Sequence, residues 1–273
     1  MKKIFLVSLF LSAAFFLTAA EKKPDTLQDL EKIRSHLRSQ GRGQAPWVWI
    51  FYGDSITHGA KHTRGWRSFP EIFAERLRYE LRLHLDTVIN SGISGNTTRE
   101  LLDDTQYYHR IKKFHPSVVI VMIGTNDIVR LKNVDLYRKN LETLVEKLRK
   151  DKAVPVLMTL PGIWKKTTKS GYVARLKGLE AYNAAIRETA KKHNTVLVDN
   201  ASLWEKTAST PEKQALLLGE EIHPGPWGHL EIAKEIFRVF DIYDASAASC
   251  NPIGKEPQTI THLLPQKAKV LNK

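Results

Sequence analysis

Apolar runs that alternate with amphipathic runs constrain this fold more than any other feature of the sequence. Five short runs are dominated by Val, Ile, Leu, Met and aromatic residues, which is typical of strands buried on both faces of a sheet. These runs are residues 47–52, 87–90, 116–124, 154–161 and 195–200. Runs with helical spacing lie between and after them, at 69–83, 98–114, 134–150, 174–194 and 228–243. The alternation predicts an α/β fold with three layers, in which helices flank a central parallel sheet.

The alternating runs occupy only part of the 273 residues. We expect one domain over 46–244, a size that supports a single large core. Residues 21–45 are polar and basic and are interpreted as a leader segment, with one short helix from about Thr26 to Ser39. Residues 245–273 are rich in polar residues and proline and are interpreted as an extended C-terminal tail.

The first twenty residues have the layout of a secretory signal peptide. Lys2 and Lys3 precede an apolar run, and the small residues Thr18, Ala19 and Ala20 end it. The alternative is a membrane anchor, but the apolar run is short for a spanning helix and its small-residue end favours cleavage. We therefore expect a secreted or periplasmic protein without integral membrane association.

The distribution of charge limits the classes of binding partner that the protein can have. The formal net charge is +13, and the basic residues are spread along helices rather than gathered in one block. No helix-turn-helix, zinc-finger or RNA-binding signature is present, so nucleic acid is not expected as a partner. For an exported protein, a basic surface suits an anionic polysaccharide or cell surface.

Cys250, the only cysteine, cannot form an internal disulfide and has no nearby histidine to activate it.

Polar, glycine-rich clusters follow the predicted strands at the edge of the sheet where ligands bind in open α/β folds. They are GDS (53–55), NSGISGNTT (90–98), GTND (124–127) and, before the last helix, EEIHPG (220–225). Acyl transfer needs a nucleophile, a base, a group that orients the base, and donors for the oxyanion. The clusters offer Ser55 as nucleophile, His223 as base and Glu220 as its orienting carboxylate. The candidate oxyanion donors are the backbone N–H groups of Ser55 and Gly95 and the side-chain amide of Asn126.

Four of these blocks together resemble the SGNH hydrolases, also called GDSL hydrolases. The serine, glycine, asparagine and histidine blocks read GDSIT (53–57), SGISGNT (91–97), GTND (124–127) and EEIHP (220–224), in the order typical of the family. The resemblance implies a flavodoxin-like sheet and serine esterase chemistry without a metal or another cofactor. It implies Ser55 as nucleophile, Gly95 and Asn126 as oxyanion donors, and His223 as base.

The sequence departs from the family at one position. Members usually have aspartate three residues before the histidine, where this chain has Glu220. A glutamate can accept from the imidazole N–H, but its additional methylene changes the geometry. The neighbouring Glu221 is a second candidate for the same role, and the sequence does not decide between them.

Other polar residues near these blocks have simpler interpretations. Asp54 and Asp127 are expected to hold the turns of their blocks through hydrogen bonds. His58 and His62 have no partner at a recognisable spacing and are interpreted as surface residues. The ten histidines show no metal-binding spacing such as H-x-x-x-H, so we expect no metal site.

The sequence therefore predicts an exported serine esterase that removes small acyl groups, chiefly acetyl, from carbohydrate. The runner-up is a lysophospholipase or general acyl-ester hydrolase, although the chain after residue 20 shows no long apolar segment that would act as a lid. A non-catalytic carbohydrate-binding protein is the alternative from another class, and the intact Ser55, Gly95, Asn126 and His223 weigh against it. The oligomeric state is not predicted.

Overall fold

A computed structural model describes residues 26–59, 62–63 and 65–251 of the chain. The expected signal peptide and most of the expected C-terminal tail lie outside these residues. Within the described ranges, no helix is both long and apolar enough to span a bilayer.

A five-stranded sheet forms the centre of the molecule, and all of its strand pairs are parallel. Its strands are β1 (Val48–Gly53), β2 (Thr87–Asn90), β3 (Val118–Met122), β4 (Val154–Met158) and β5 (Val196–Val198). Their order across the sheet is β2-β1-β3-β4-β5, the order of flavodoxin-like folds. The predicted α/β fold with a parallel sheet is confirmed. Strands β3 and β4 are buried along their whole length, as their continuous apolar sequence requires.

Helices cover both faces of the sheet. Those of the described residues are α1 (Thr26–Arg38), α2 (Ser55–His58), α3 (Phe69–Glu75), α4 (Thr98–Leu102), α5 (Asp104–Arg110), α6 (Asp127–Arg130), α7 (Val134–Lys150), α8 (Ser170–Lys192), α9 (Asn200–Thr207), α10 (Pro211–Leu217) and α11 (Pro226–Val239). A π-helical turn (Arg76–Glu80) and two 3₁₀ turns (Lys112–Phe114 and Ala248–Cys250) complete them. Helices α3 and α11 pack together in one layer, and α4, α7 and α8 pack together in the other.

Aromatic side chains fill the space between the sheet and the layer of α3 and α11. Trp49 and Phe51 project from β1 onto Phe73, with ring centroids 5.2 and 5.3 Å apart in edge-on arrangements. Phe240, which follows α11, packs against the Phe73 ring at 6.3 Å. Edge-on contacts of this kind add to the burial of large rings, so this cluster fixes β1 and the residues that follow it relative to α3.

The packed structure extends beyond the predicted domain at both ends. Helix α1, in the segment interpreted as a leader, buries Ile33 and Leu37 in the core. His36 of this helix is also buried and lies 2.7 Å from the Asp86 carboxylate. At the other end, Cys250 is buried, although the sequence interpretation placed it in a polar tail. Ile33, Leu37 and Cys250 thus belong to the same hydrophobic core as the sheet.

One predicted helix is divided in the structure. The run 98–114 forms α4, α5 and a 3₁₀ turn, because Asp103 leaves helical geometry and its side chain accepts the backbone N–H of Gln106. Asp103 thereby ends one helix and caps the next.

The sheet order also determines where a ligand can bind. The chain leaves β1 toward β2 on one side and leaves β3 toward β4 on the other, so the loops after β1 and β3 diverge. Such a switch point opens a crevice at the carboxyl ends of the strands. The loop after β1 begins with Asp54 and Ser55, and the loop after β3 contains Asn126.

Candidate active site

Ser55 stands at the first turn after β1, and its position is fixed by the residues on either side. Asp54 is buried and its side chain accepts the backbone N–H of Ile56 at 2.9 Å, which caps the short helix α2. Gly53 ends the strand where a Cβ would lie 2.2 Å from the Met122 carbonyl oxygen and 2.3 Å from Thr57 Oγ1. Only glycine fits this close approach of the β1 and β3 ends, and the chain therefore turns sharply and presents Ser55 at the crevice.

Ser55, His223 and Glu220 form a hydrogen-bonded series. Ser55 Oγ lies 2.8 Å from His223 Nε2, although the two residues are far apart in sequence. The other ring nitrogen, Nδ1, is hydrogen bonded to Glu220 Oε1. Glu221 instead pairs with Lys169, at 2.8 Å between the Lys169 Nζ and its carboxylate. The carboxylate bonded to His223 is therefore that of Glu220.

The loop that carries Glu220 and His223 is closed at its base, and we refer to residues 218–225 as the histidine loop. Leu218 and Pro224 form an antiparallel bridge, and the Gly219 N–H donates to the His223 carbonyl oxygen at 2.9 Å. Gly219 and Gly225 face each other so closely that a Cβ on Gly225 would lie 2.9 Å from the Gly219 nitrogen. This tight base brings Glu220 and His223 close together, and the longer glutamate reaches Nδ1.

Gly95 and Asn126 lie on two loops that hydrogen bonds join to each other. Asn126 Nδ2 donates to the Asn96 carbonyl oxygen at 3.0 Å. The loop of Gly95 is also tied to the end of β1, since the Ile93 N–H donates to the Gly53 carbonyl oxygen at 3.0 Å. Gly95 has a φ of +90°, a conformation that favours glycine. The structure thus gathers the loops of Ser55, Gly95 and Asn126 at one crevice.

Asp54 of the serine block and Asp127 of the asparagine block are buried and hold their turns, as expected. Burial raises the pKa of Asp54 to about 7. Burial also raises the pKa of Asp127 to about 6, although its hydrogen bonds from Thr98 act in the opposite direction. Asp127 Oδ1 accepts both the N–H and the Oγ1–H of Thr98, at 2.9 and 2.6 Å. Asp127 thereby joins the asparagine loop to the start of α4.

His62 was interpreted as a surface residue, and that interpretation is wrong. Its ring stacks on the His223 ring with the centroids 3.4 Å apart and the planes 4° from parallel. The backbone carbonyl of His62 also lies against Gly219 of the histidine loop. No local pattern could indicate this contact, because it joins segments that are distant in sequence.

His62, Glu220 and His223 also form the one group of potential metal ligands within the described residues. The arrangement does not fit a metal centre. Both ring nitrogens of His223 are engaged, one with Ser55 and one with Glu220. The ring of His62 is parallel to that of His223, so the in-plane lone pairs of the two rings do not converge on one point.

The electrostatic environment keeps His223 neutral more readily than in water. Burial lowers the pKa of His223 below its ordinary value of 6.5, and the His62 and Arg175 charges act in the same direction. Glu220 opposes them, because its carboxylate stabilises the imidazolium. The neutral imidazole is therefore the dominant form of His223 near neutral pH.

We expect the pH profile of ester hydrolysis to reflect this environment. A base must be neutral, so kcat/KM should be constant near neutrality and fall with decreasing pH through the pKa of His223, with a midpoint below 6.5. Glu220→Gln removes the charge that stabilises the imidazolium and should move the midpoint to lower pH. The measurement is kcat/KM for a soluble acetate ester as a function of pH. A midpoint above 6.5, or a shift to higher pH in Glu220→Gln, would contradict this assignment.

A family model described as the GDSL-like lipase/acylhydrolase family matches residues 51–230, which contain the four blocks and the site. The chain belongs to this family. The matched range runs from β1 into α11 and so covers the sheet and the three loops of the crevice. As a GDSL-like hydrolase, the protein is a serine hydrolase of carboxylic esters.

The relatives differ in how much of this chain they match. An acetylxylan esterase of Geobacillus stearothermophilus is 25% identical over 207 residues, 69% of this chain and 91% of that protein. The crystal structure of Axe2, an acetylxylan esterase from the same organism, aligns with a TM-score of 0.59 at 22% identity, over 74% of this chain and 97% of Axe2. An uncharacterized protein of Mycoplasma pneumoniae is 37% identical over 106 residues. That match spans 37% of this chain but only 12% of the length of the Mycoplasma protein.

Variants of Axe2 described as catalytic mutants have the same fold. In them a serine, an aspartate or a histidine is replaced by alanine, and each aligns with this chain with a TM-score of 0.60. The aspartate of that enzyme stands three positions before its histidine.

Proposed function

We propose that the protein removes small acyl groups, chiefly acetyl, from carbohydrate through an acyl-enzyme formed on Ser55. The observation that supports this mechanism is the series Ser55–His223–Glu220, in which each side chain is hydrogen bonded to the next. Nucleophile, base and orienting carboxylate in this order are the arrangement by which serine hydrolases activate a hydroxyl.

The reaction begins when Ser55 Oγ attacks the ester carbonyl carbon. The Ser55 proton moves to His223 Nε2 as the Oγ–C bond forms, and negative charge develops on the carbonyl oxygen. When the tetrahedral intermediate collapses, the C–O bond to the sugar breaks and the proton passes from Nε2 to the leaving sugar oxygen. Water then attacks the acyl-enzyme, gives its proton to Nε2, and the collapse of the second intermediate returns that proton to Ser55 and releases the carboxylic acid.

Glu220 acts on the base rather than on the substrate. Its carboxylate accepts the Nδ1–H of His223, which leaves the lone pair of Nε2 directed toward Ser55. The carboxylate also stabilises the imidazolium that forms during each attack. The additional methylene of glutamate does not prevent this role, because the histidine loop brings Oε1 to Nδ1.

The oxyanion is assigned to the N–H groups of Ser55 and Gly95 and to the amide of Asn126. One N–H of the Asn126 amide donates to the Asn96 carbonyl, and its other N–H has no acceptor among the described residues. Donors that are fixed before the reaction stabilise charge that appears only in the transition state, without reorganisation at that moment.

A cavity beside Glu220 offers polar groups that the hydroxyls of a carbohydrate can bind. Its volume is about 310 Å³ and its wall combines Trp164 with hydroxyl and charged groups. The lining residues are Trp164, Lys166, Thr167, Thr168, Ala215, Leu218, Glu220 and Glu221. A long alkyl chain would desolvate these polar groups without satisfying them, whereas sugar hydroxyls can hydrogen bond to them. The names of the acetylxylan esterase relatives indicate a substrate of this class, an acetylated carbohydrate.

Export forms part of the proposal and is supported by the sequence of residues 1–20. A polymer outside the cytoplasm would be the substrate of an enzyme in that location. Amino-terminal sequencing of the protein recovered from its natural host would test it, with a new terminus near residue 21 as the expected result.

Acyl chain length gives the sharpest test of the substrate. We expect kcat/KM to be higher for acetyl esters than for octanoyl esters of the same alcohol, because the sequence after residue 20 shows no long apolar segment that would enclose an alkyl chain. The experiment compares soluble esters of increasing chain length and measures acetate release from a panel of acetylated oligosaccharides. A matched series with one alcohol controls for the leaving group. A higher kcat/KM for octanoyl esters would favour the lipid-acting alternative, and release from no acetylated glycan would contradict the carbohydrate assignment.

A further inference from the structure

Arg175 of α8 makes three hydrogen bonds at the edge of the crevice. Its Nη2 donates to Asn126 Oδ1 at 3.3 Å, and its Nε donates to the Thr125 carbonyl oxygen at 3.1 Å. Its Nη1 donates to the Gly171 carbonyl oxygen at 3.1 Å, one turn earlier on the same helix. The guanidinium is therefore fixed between α8 and the loop after β3, and its side chain is half-buried.

These bonds determine the orientation of the Asn126 amide. A guanidinium can only donate, so the amide oxygen must face Arg175. The Asn96 carbonyl oxygen, 3.0 Å from Nδ2 on the other side, can only accept, so the amide nitrogen must face Asn96. A flipped amide would place donor against donor and acceptor against acceptor.

The Arg175 guanidinium also affects how strongly the second N–H of the Asn126 amide can donate. Burial lowers the pKa of Arg175, while the charges of Tyr172, Asp54 and Glu220 raise it, and a guanidinium stays protonated in proteins. A positive charge at Oδ1 polarises the amide and makes its N–H groups stronger donors. The effect increases in importance as negative charge develops on the substrate oxygen.

We propose that Arg175 is a positioning residue for the oxyanion site, which acts through Asn126 by fixing and polarising its amide. The proposal rests on the proposed role of Asn126, but not on the carbohydrate substrate. The sequence blocks do not include Arg175, and it lies 49 positions from Asn126.

A double-mutant cycle tests this proposal. It compares the wild type with Arg175→Met, Asn126→Ala and the double variant, using p-nitrophenyl acetate on the pH plateau. Asn126→Ala should lower kcat about 10²–10³-fold with little change in KM. Arg175→Met should lower kcat about tenfold, the size expected for a hydrogen bond to a charged group, also with little change in KM. In the Asn126→Ala background, Arg175→Met should cost less than about twofold, because the group through which it acts is gone.

Two further variants complete the experiment. Arg187→Met is the matched control on the same helix, since Arg187 bonds to Asp199 and Glu180 outside the crevice, and its kcat should stay near that of the wild type. Arg175→Lys retains the charge but cannot make the three bonds, so it should recover only part of the loss. If Arg175→Met does not fold, Arg175→Lys replaces it in both backgrounds.

The possible results separate the roles of Arg175. An equal loss in the two backgrounds would mean that Arg175 acts independently of Asn126 and would overturn the proposal. A rise in KM with unchanged kcat would mean that Arg175 binds the substrate, and an unchanged kcat and KM would mean that it has no role. Acetylated glycans are absent from this cycle, so failure of the carbohydrate assignment leaves its result unaffected.

Discussion

Replacing Ser55 by alanine is expected to leave a folded protein that has lost about three to six orders of magnitude of ester hydrolysis. The change removes the atom that lies 2.8 Å from His223 Nε2 and that forms the acyl bond in the proposed mechanism. It leaves the Asp54 cap and the close approach at Gly53 intact, because neither involves the Ser55 side chain. The fold should therefore survive, and circular dichroism and thermal unfolding should match those of the wild type. Initial rates with a chromogenic acetate ester measure the loss.

A serine-directed phosphonate supplies the positive control for this variant. It should label the wild type at Ser55 and should not label Ser55→Ala, as read by peptide mass spectrometry. Ser246→Ala is the matched substitution, since Ser246 is exposed and bonds to Asp244 beyond the crevice, and it should be labelled at Ser55 and active like the wild type. Activity near that of the wild type in Ser55→Ala would exclude the proposed mechanism.

Glu220→Ala is the second change with a large expected effect. The His223 base remains, but it loses the acceptor at Nδ1 that fixes its tautomer and stabilises its charged form. We expect kcat to fall about 10²–10⁴-fold, less than in Ser55→Ala, because a poorly oriented base still removes some protons. Glu220→Asp should recover measurable activity, since it restores a carboxylate at a shorter reach.

The adjacent Glu221 provides the control for this change. Its carboxylate pairs with Lys169, and its backbone carbonyl accepts the Trp164 N–H at 2.7 Å, which an alanine would keep. Glu221→Ala should therefore change kcat by less than about threefold, the usual effect of a partly exposed ion pair. A large loss in Glu221→Ala with none in Glu220→Ala would reverse the assignment. Wild-type rates in both variants would mean that Ser55 and His223 act without a carboxylate.

Local patterns were sufficient for much of the fold. The predicted strand 87–90 and the predicted helix 134–150 have the same bounds as β2 and α7 in the structure. In α7 the buried residues recur at helical spacing, so the sequence contains the whole signal. The run 98–114 was harder, because a single aspartate at 103 can either sit within a helix or cap the next one, and tertiary packing decides.

Some residues of the site could be predicted from the sequence, and others could not. Ser55, Gly95, Asn126 and His223 stand in short blocks that the sequence displays, and the structure brings their loops to one crevice. The pairing of Glu220 rather than Glu221 depends on the path of the histidine loop, which the sequence does not specify. His62 and Arg175 were missed because their partners are distant in sequence and neither has a motif of its own. Contacts of this kind become visible only when the chain is folded.

The closed base of the histidine loop has a consequence for how such a site can change over generations. His223 and its carboxylate partner Glu220 belong to one short segment, while Ser55 belongs to another. Exchange of aspartate for glutamate therefore requires adjustment only inside that segment, and the Ser55 turn needs no compensating substitution. The His62 ring supports the His223 ring from outside the contact with Glu220, so the carboxylate can change while the imidazole that faces Ser55 keeps this support.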